Sequence, residues 1–243
     1  MKLIQLNAWG GRLENQLKDF LRSERADILC LQEAISFDGG AGMFMTIEDI
    51  ARISGLDNLA IGPKFSFNYM DGTAIFSNCI LAGYPIKKSE VIFTGLSHIE
   101  NFTFNKYPHV DSRNFVHAIL EIDHKLVNIV THHGHHIPEH KNGNEQTMKQ
   151  MAMLGEYIDK LSGPVILTGD FNLAPHSESL EQINQRLNNL AIEHRLKTTR
   201  TSLTHKTEVC DYIFVNDKVK VNSFHASSEI VSDHRALILD FEL

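Results

Sequence analysis

Cysteine is scarce in this chain: there are three in 243 residues, Cys30, Cys79 and Cys210, with no two close together. An odd, dispersed set excludes a disulfide-built scaffold. Each lies in or beside an apolar run, as expected of buried thiols in a reducing cytosol, so a cytoplasmic location is expected. No apolar run approaches the ~18–20 residues needed to span a membrane. The opening Met1-Lys2-Leu3-Ile4-Gln5-Leu6 reads as a strand and not as a secretion signal. Basic charge is not in excess either: 23 Lys and Arg against 30 Asp and Glu give a net charge of −7. That argues against a broadly basic nucleic-acid surface, although a bound cation or a small basic patch can serve an anionic ligand within a negative total. Pro/Ser/Gly-rich linkers, low-complexity tracts and fixed-period repeats are missing. Residues 1–243 are therefore expected to form one domain, long enough to bury a core without staples.

What is present is a succession of short apolar runs. They predict strands near 2–7, 28–31, 59–62, 73–77, 80–87, 90–95, 114–122, 125–131, 165–167, 210–216, 219–226 and 235–242. Helical spacing appears near 13–23, 46–54, 143–161 and 177–189. Strands dominate and helices flank them, which favours an α+β fold with two sheets packed together and covered by helices.

Polar groups suited to chemistry stand at the ends of these strands. The run Val165-Ile166-Leu167 leads into Thr168-Gly169-Asp170-Phe171-Asn172, and Ser232-Asp233-His234 precedes the last apolar strand. Acidic and amide side chains at the end of a buried strand are costly unless partnered. Asn7, Glu33, His132 and Asp211 hold comparable places. A turn would account for any one of these taken alone.

Taken in order, Leu6-Asn7, Leu31-Gln32-Glu33, Thr131-His132, Gly169-Asp170-Phe171-Asn172, Asp211-Tyr212-Ile213-Phe214 and Ser232-Asp233-His234 resemble the endonuclease/exonuclease/phosphatase superfamily of metal-dependent phosphoesterases. The resemblance implies a four-layer αββα sandwich of two mixed β-sheets flanked by helices. It implies Mg²⁺, with Mn²⁺ as a substitute, held by Glu33 with help from Asn7 and Asp233. Asp170 would orient or deprotonate the attacking water, and Asn172 would donate to the phosphoryl oxygens. His234 would be the acid/base histidine, with Asp211 fixing its tautomer. His132 matches the family's phosphate-contacting histidine, and Arg113 stands where some nuclease members grip phosphate, although a surface salt bridge is an equal account of it. Many members carry an acid two residues after the first Asn. Here that residue is Trp9, so any metal ligation from that position is lost.

His133, His135, His136 and His140 follow as a cluster, open to reading as a transition-metal site or as solvated loop residues. Three loops, 35–46, 97–112 and 133–146, are expected to rim one cleft, with Phe102, Phe104 and Tyr107 as candidates for contact with the substrate. The expected substrate is a phosphate diester, with nucleic acid or a nucleotide-like molecule favoured. A small-molecule or lipid-headgroup phosphatase is the alternative, and a catalytically silent binding module the more distant one. Nothing in the sequence calls for an obligate protein partner.

Overall fold

The computed structural model describes residues 1–40, 44–103 and 112–243. The described residues form twelve strands and five helices: β1 (Lys2–Asn7), α1 (Glu14–Glu24), β2 (Ile28–Phe37), α2 (Ile47–Ser54), β3 (Asn58–Tyr69), β4 (Gly72–Ala82), β5 (Ile86–Phe93), β6 (Asn114–Ile122), β7 (Lys125–His133), α3 (Glu145–Ile158), β8 (Val165–Asp170), α4 (Glu178–Asn184), β9 (Asn188–Asn189), α5 (Leu190–Glu193), β10 (Asp211–Val215), β11 (Lys220–Ala226) and β12 (Leu237–Glu242). The first sheet has the order β11-β12-β1-β2-β4-β3, and the second β5-β6-β7-β8-β10-β9. Each contains one parallel pair, β1 with β2 and β7 with β8, among antiparallel neighbours.

Three apolar layers make this a four-layer sandwich. Leu3, Cys30, Ile80 and Leu239 of the first sheet meet Val116, Ile129, Ile166 and Ile213 of the second. Outside the first sheet, Leu17, Phe20 and Leu21 of α1 and Ile47 and Ile50 of α2 cover Ile4, Leu6, Leu29 and Ile238. Outside the second, Met151 and Leu154 of α3 and Leu180 and Ile183 of α4 cover Val130, Leu167 and Phe214. Strands alternate between faces, so the inner face of each strand reads off directly. β1 presents Leu3, Gln5 and Asn7, and β8 presents Ile166, Thr168 and Asp170. β7 presents Ile129, Thr131 and His133, and β10 presents Asp211, Ile213 and Val215.

Several predicted boundaries moved, among them that of 28–31, which extends to Phe37 in β2. The runs 73–77 and 80–87 are mostly one strand, β4, which ends at Ala82, and the run 59–62 extends to Tyr69 in β3. Pairing in the long β3–β4 hairpin carries both strands past the polar residues at which the apolar pattern broke. The helix expected over 177–189 divides into α4 and α5, separated by the short β9 that pairs with β10. Phe104, Tyr107, Asp111 and the Ala41–Gly42 part of the Gly-rich loop lie outside the described residues.

The junction of β7 and β8 is the tightest point near the strand ends. Gly169 has φ +151, and a Cβ there would stand 2.0 Å from the His132 carbonyl oxygen. Gly55 also has positive φ, +68, but nothing lies within 4 Å of its would-be Cβ. Gly169→Ala should therefore cost at least about 3 kcal/mol in urea unfolding. Gly55→Ala, which meets only backbone strain, should cost about 1–2 kcal/mol. Equal midpoints for the two variants would contradict this account.

Candidate active site

The inner-face residues that lie beyond the apolar layer converge at one end of the sandwich. Asn7, Glu33, Arg113, Asp170, Asn172, Asp233 and His234 line one cleft of about 320 Å³, together with Trp9, His133, His135, His136, Arg200 and Lys206. Asn7, His133 and Asp170 end β1, β7 and β8, at the carboxyl ends of the two parallel strand pairs, where open α/β sheets present ligands, and Glu33 lies within β2 just past its parallel pairing with β1. His135 and His136 bring the loop after β7 to the rim, and Trp9 brings the turn after β1.

Glu33 does not sit at a strand end, as its sequence position suggests. It is an extra residue in a β-bulge: Leu31 pairs with Cys79 and Ala34 with Ser77, leaving Gln32 and Glu33 opposite a single step of β4. Its φ of 52 is rare for a residue with a side chain. A second bulge faces the same level of β4 from the other side, between Pro63 and Phe65 of β3, and its extra residue is Lys64. The Glu33 side chain is about a third exposed, with Oε1 3.9 Å from His133 Nε2. Lys64 is buried, donates to His133 Nδ1 at 2.9 Å, and is pushed down to about 7 by burial and by Arg113, against the pull of Glu33 and Asp170.

Asp170 is almost wholly buried, and its two oxygens have different roles. Oδ1 accepts the Asn172 backbone N–H at 3.0 Å, which closes a turn in which Asn172 takes φ 56, a conformation that Asn tolerates. Oδ2 accepts Asn7 Nδ2 at 3.1 Å and lies 3.7 Å from His234 Nε2 and 3.9 Å from His133 Nε2. Burial alone would raise its pKa. The charges of His234, Arg200 and Lys141 and the Asn7 hydrogen bond outweigh this and hold the carboxyl well below the usual range. Lys141 Nζ bridges His136 Nδ1 at 2.8 Å and Asn172 Oδ1 at 2.9 Å, which fixes the direction of the Asn172 amide.

Asp211 lies behind the cleft, fully buried. It accepts His234 Nδ1–H at 2.9 and 3.0 Å and Thr199 Oγ1–H at 2.6 Å. Burial would lower the His234 pKa, but Asp211 and Asp170 raise it to about 9. Arg200 Nη1 contacts Nε2 of the same ring. Arginine can only donate, so that contact belongs to the neutral ring, whereas the two carboxylates favour the imidazolium.

His132 is not in the cleft. It is fully buried on the outer face of β7, edge-on to Phe171 at 5.2 Å, and burial and Arg113 push it down to about 3. Strand alternation turns His133 inward instead. Phe102 is likewise a core residue, packed on Phe65 at 4.7 Å. Arg200, Lys206 and Lys64 were not anticipated. Lys64 left one trace, a lysine inside an apolar run, but Arg200 sits in a polar stretch with nothing to distinguish it.

Asp170, Asp211 and His234 each place a potential donor atom within 4.8 Å of the others, and among the described residues the loop histidines form no such group. His234 Nδ1 already donates to Asp211, while Asp170 Oδ2 stands 3.7 Å from Nε2, so two of the three are committed to each other and not to a metal. Glu33 and Asp233 also line this cleft, both with carboxylates. Asp233 is raised by burial and also by the negative charge of Glu33, a repulsion that a cation between them would relieve. No helix among the described residues is long and apolar enough to cross a membrane, and the three cysteines are buried and free.

The Endonuclease/Exonuclease/phosphatase family profile matches residues 4–234. No curated protein matches the sequence significantly. Among solved structures, an endonuclease/exonuclease/phosphatase from Beutenbergia cavernae DSM 12333 superposes with a TM-score of 0.74 at 16% identity, covering 100% of this chain and 71% of that one. A mannosyl-6-phosphatase of Bacteroides thetaiotaomicron VPI-5482 gives a TM-score of 0.72 at 14% identity over 100% of both chains. TDP2 of D. rerio complexed with single strand DNA product gives 0.71 at 14%, covering 100% of this chain and 99% of that one. At these identities the structural likeness is one of fold. The profile match spans nearly the whole sequence, and by it the chain belongs to the endonuclease/exonuclease/phosphatase family.

Proposed function

We propose that this protein is a Mg²⁺-dependent phosphodiester hydrolase acting on nucleic acid or nucleotide-like substrates. The observation that carries the reading is the convergence of Asn7, Glu33, Asp170, Asn172 and His234 in one cleft whose walls are basic. Arg113, Arg200 and Lys206 line it although the chain as a whole carries −7, so the local charge suits a phosphate. The endonuclease/exonuclease/phosphatase membership supports phosphoester hydrolysis in general. The neighbour solved with DNA product supports the diester reading, and the mannosyl-6-phosphatase keeps a small-molecule monoester as the second.

Glu33 and Asp233 would hold the cation, with Asn7 beside them. When bound, the cation supplies Lewis-acid polarisation of a phosphoryl oxygen. Asp170 Oδ2 faces the cleft and stays ionised. Its Oδ2, the oxygen nearest His234, would accept a hydrogen bond from the attacking water and take that water's proton as the new P–O bond forms. His133, neutral through burial and with Nδ1 taken by Lys64, presents Nε2–H on the inner side, where a non-bridging oxygen would accept it. Asn172, its amide oxygen held by Lys141, would donate from Nδ2, which lies beside the Gly134 carbonyl. His234, kept protonated by Asp211, donates from Nε2 once an anion separates it from Arg200. The role expected of His132 thus passes to His133 in this reading.

Hydrolysis of bis-p-nitrophenyl phosphate should require Mg²⁺ or Mn²⁺, stop in EDTA and fall sharply in Glu33→Gln, with p-nitrophenyl phosphate turned over poorly. Full activity in EDTA would refute the metal, and faster monoester than diester turnover would favour the phosphatase. The His234 imidazolium exists below about pH 9, so activity should fall as pH rises through that value. Asp211→Asn removes a carboxylate that raises this pKa, so the alkaline limb should move to lower pH, and His234→Ala should lower kcat by ~100-fold or more. An unmoved limb in Asp211→Asn would dissociate the pair. The two adjacent histidines should separate cleanly. His133→Ala should lower kcat/KM at least ~10-fold with little change in unfolding midpoint, whereas His132→Ala should cost about 2 kcal/mol of stability. The reverse pattern would return the phosphate contact to His132.

A further inference from the structure

A second hollow of about 360 Å³ opens beside the cleft and shares Trp9, Glu33 and Arg113 with it. Its walls are aromatic: Trp9, Phe44, Phe65, Phe67, Tyr69 and Phe76. The sheet explains why. The inner face of β4 carries Ile80 and Ala82 into the apolar layer and Asn78 against Asn114 of the second sheet. Beyond Asn78 the same face continues through Phe76, which is opposite Phe65 of β3 and Ile35 of β2. None of these rings belongs to the apolar layer between the sheets, and the face turns from aliphatic to aromatic. Phe65 and Phe76 stack at 5.0 Å and 11°, Phe67 lies 6.0 Å from Phe76, and Tyr69 packs on Phe44 at 5.1 Å. The Lys64 bulge brings Phe65, Phe67 and Tyr69 onto this face. Phe67, Tyr69 and Phe76 stay partly exposed, which is unusual for so many rings in one patch.

We propose that this trough is a substrate subsite that takes a planar aromatic group, a nucleobase or an aryl ring, attached to the phosphate in the neighbouring cleft. The proposal rests on the phosphoesterase reading above. Continuity carries it: a phosphate near Glu33 and Arg113 has its substituent at the mouth of the trough, because both residues line both hollows. Ring faces offer stacking to a flat group, which an alkyl chain cannot return. Charged residues at the mouth, Arg12 over Trp9 at 4.8 Å among them, fit a polar-edged ring better than a lipid tail.

Trp9 is the sole tryptophan and borders both hollows, so its fluorescence reports binding without turnover. Phenyl phosphate, n-hexyl phosphate and methyl phosphate should be titrated in the presence of Mg²⁺. Phenyl phosphate should bind about tenfold or more tighter than methyl phosphate, with hexyl phosphate well behind phenyl. In Phe67→Ala the methyl-to-phenyl ratio of dissociation constants should fall towards one. Phe67→Leu, which keeps apolar bulk without a ring face and guards against misfolding of the alanine variant, should lower it too. Equal affinities for phenyl and methyl phosphate would overturn the proposal. Hexyl phosphate matching or exceeding phenyl would overturn it in favour of an alkyl subsite. The two readings fail separately: diester turnover without an aromatic preference removes the trough alone, and an aromatic preference in a protein that hydrolyses nothing removes the hydrolase alone.

Discussion

Two buried glutamines hold the sheets in the register on which the cleft depends. Gln5 of β1 donates to Gln32 of β2 at 2.7 Å, and Gln32 donates across the layer to Thr131 of β7 at 2.8 Å. Gln5 also reaches Asp211 of β10 at 3.4 Å. All four residues are fully buried, so an unpaired member would carry the whole cost of desolvation. Each stands next to a site residue. Gln32 precedes Glu33, Thr131 lies two before His133 on the same face, and Asp211 is the partner of His234. A slip between the sheets would break the amide chain and pull these groups apart together.

Electrostatics at the cleft follow from crowding unlike charges where water is excluded. Asp170 and Asp211 are surrounded by His234, Arg200 and Lys141, and the outcome is an ionised Asp170 and a protonation-prone His234. On the other side burial first, and then the charge of Arg113, lower the proton affinity of Lys64. Glu33 and Asp233 oppose one another. The cleft therefore sets basic side chains, Arg113, Arg200 and Lys206, beside the carboxylates of Glu33, Asp170 and Asp233.

Geometry supplies the rest through two bulges at one level of β4. Without the extra residue in β2, Glu33 would follow strict alternation, and without the one in β3 the three rings beyond Lys64 would face the opposite way. The same irregularities that bring the carboxylate to the cleft and the lysine against His133 also open the aromatic trough beside it.

Much of this was legible in the chain. The apolar runs located most elements, and the ordered motifs from Asn7 to His234 marked the residues that gather in the cleft, because strand ends and turn chemistry are local properties. The choice between His132 and His133 was not legible. β7 is buried on both faces, so alternation has no phase until pairing of His133 with Asp170 supplies one. Phe102 is buried and Phe67 left partly open although both rings lie against Phe65 of β3, so packing and not residue type decides which rings remain open. Arg200 reaches His234 through a bridge between segments far apart in sequence, with no local signal. Sequence by itself determined which chemical groups were available and at which strand ends. Tertiary structure decided which of them face one another, because facing depends on register and inter-sheet packing between residues distant in the chain.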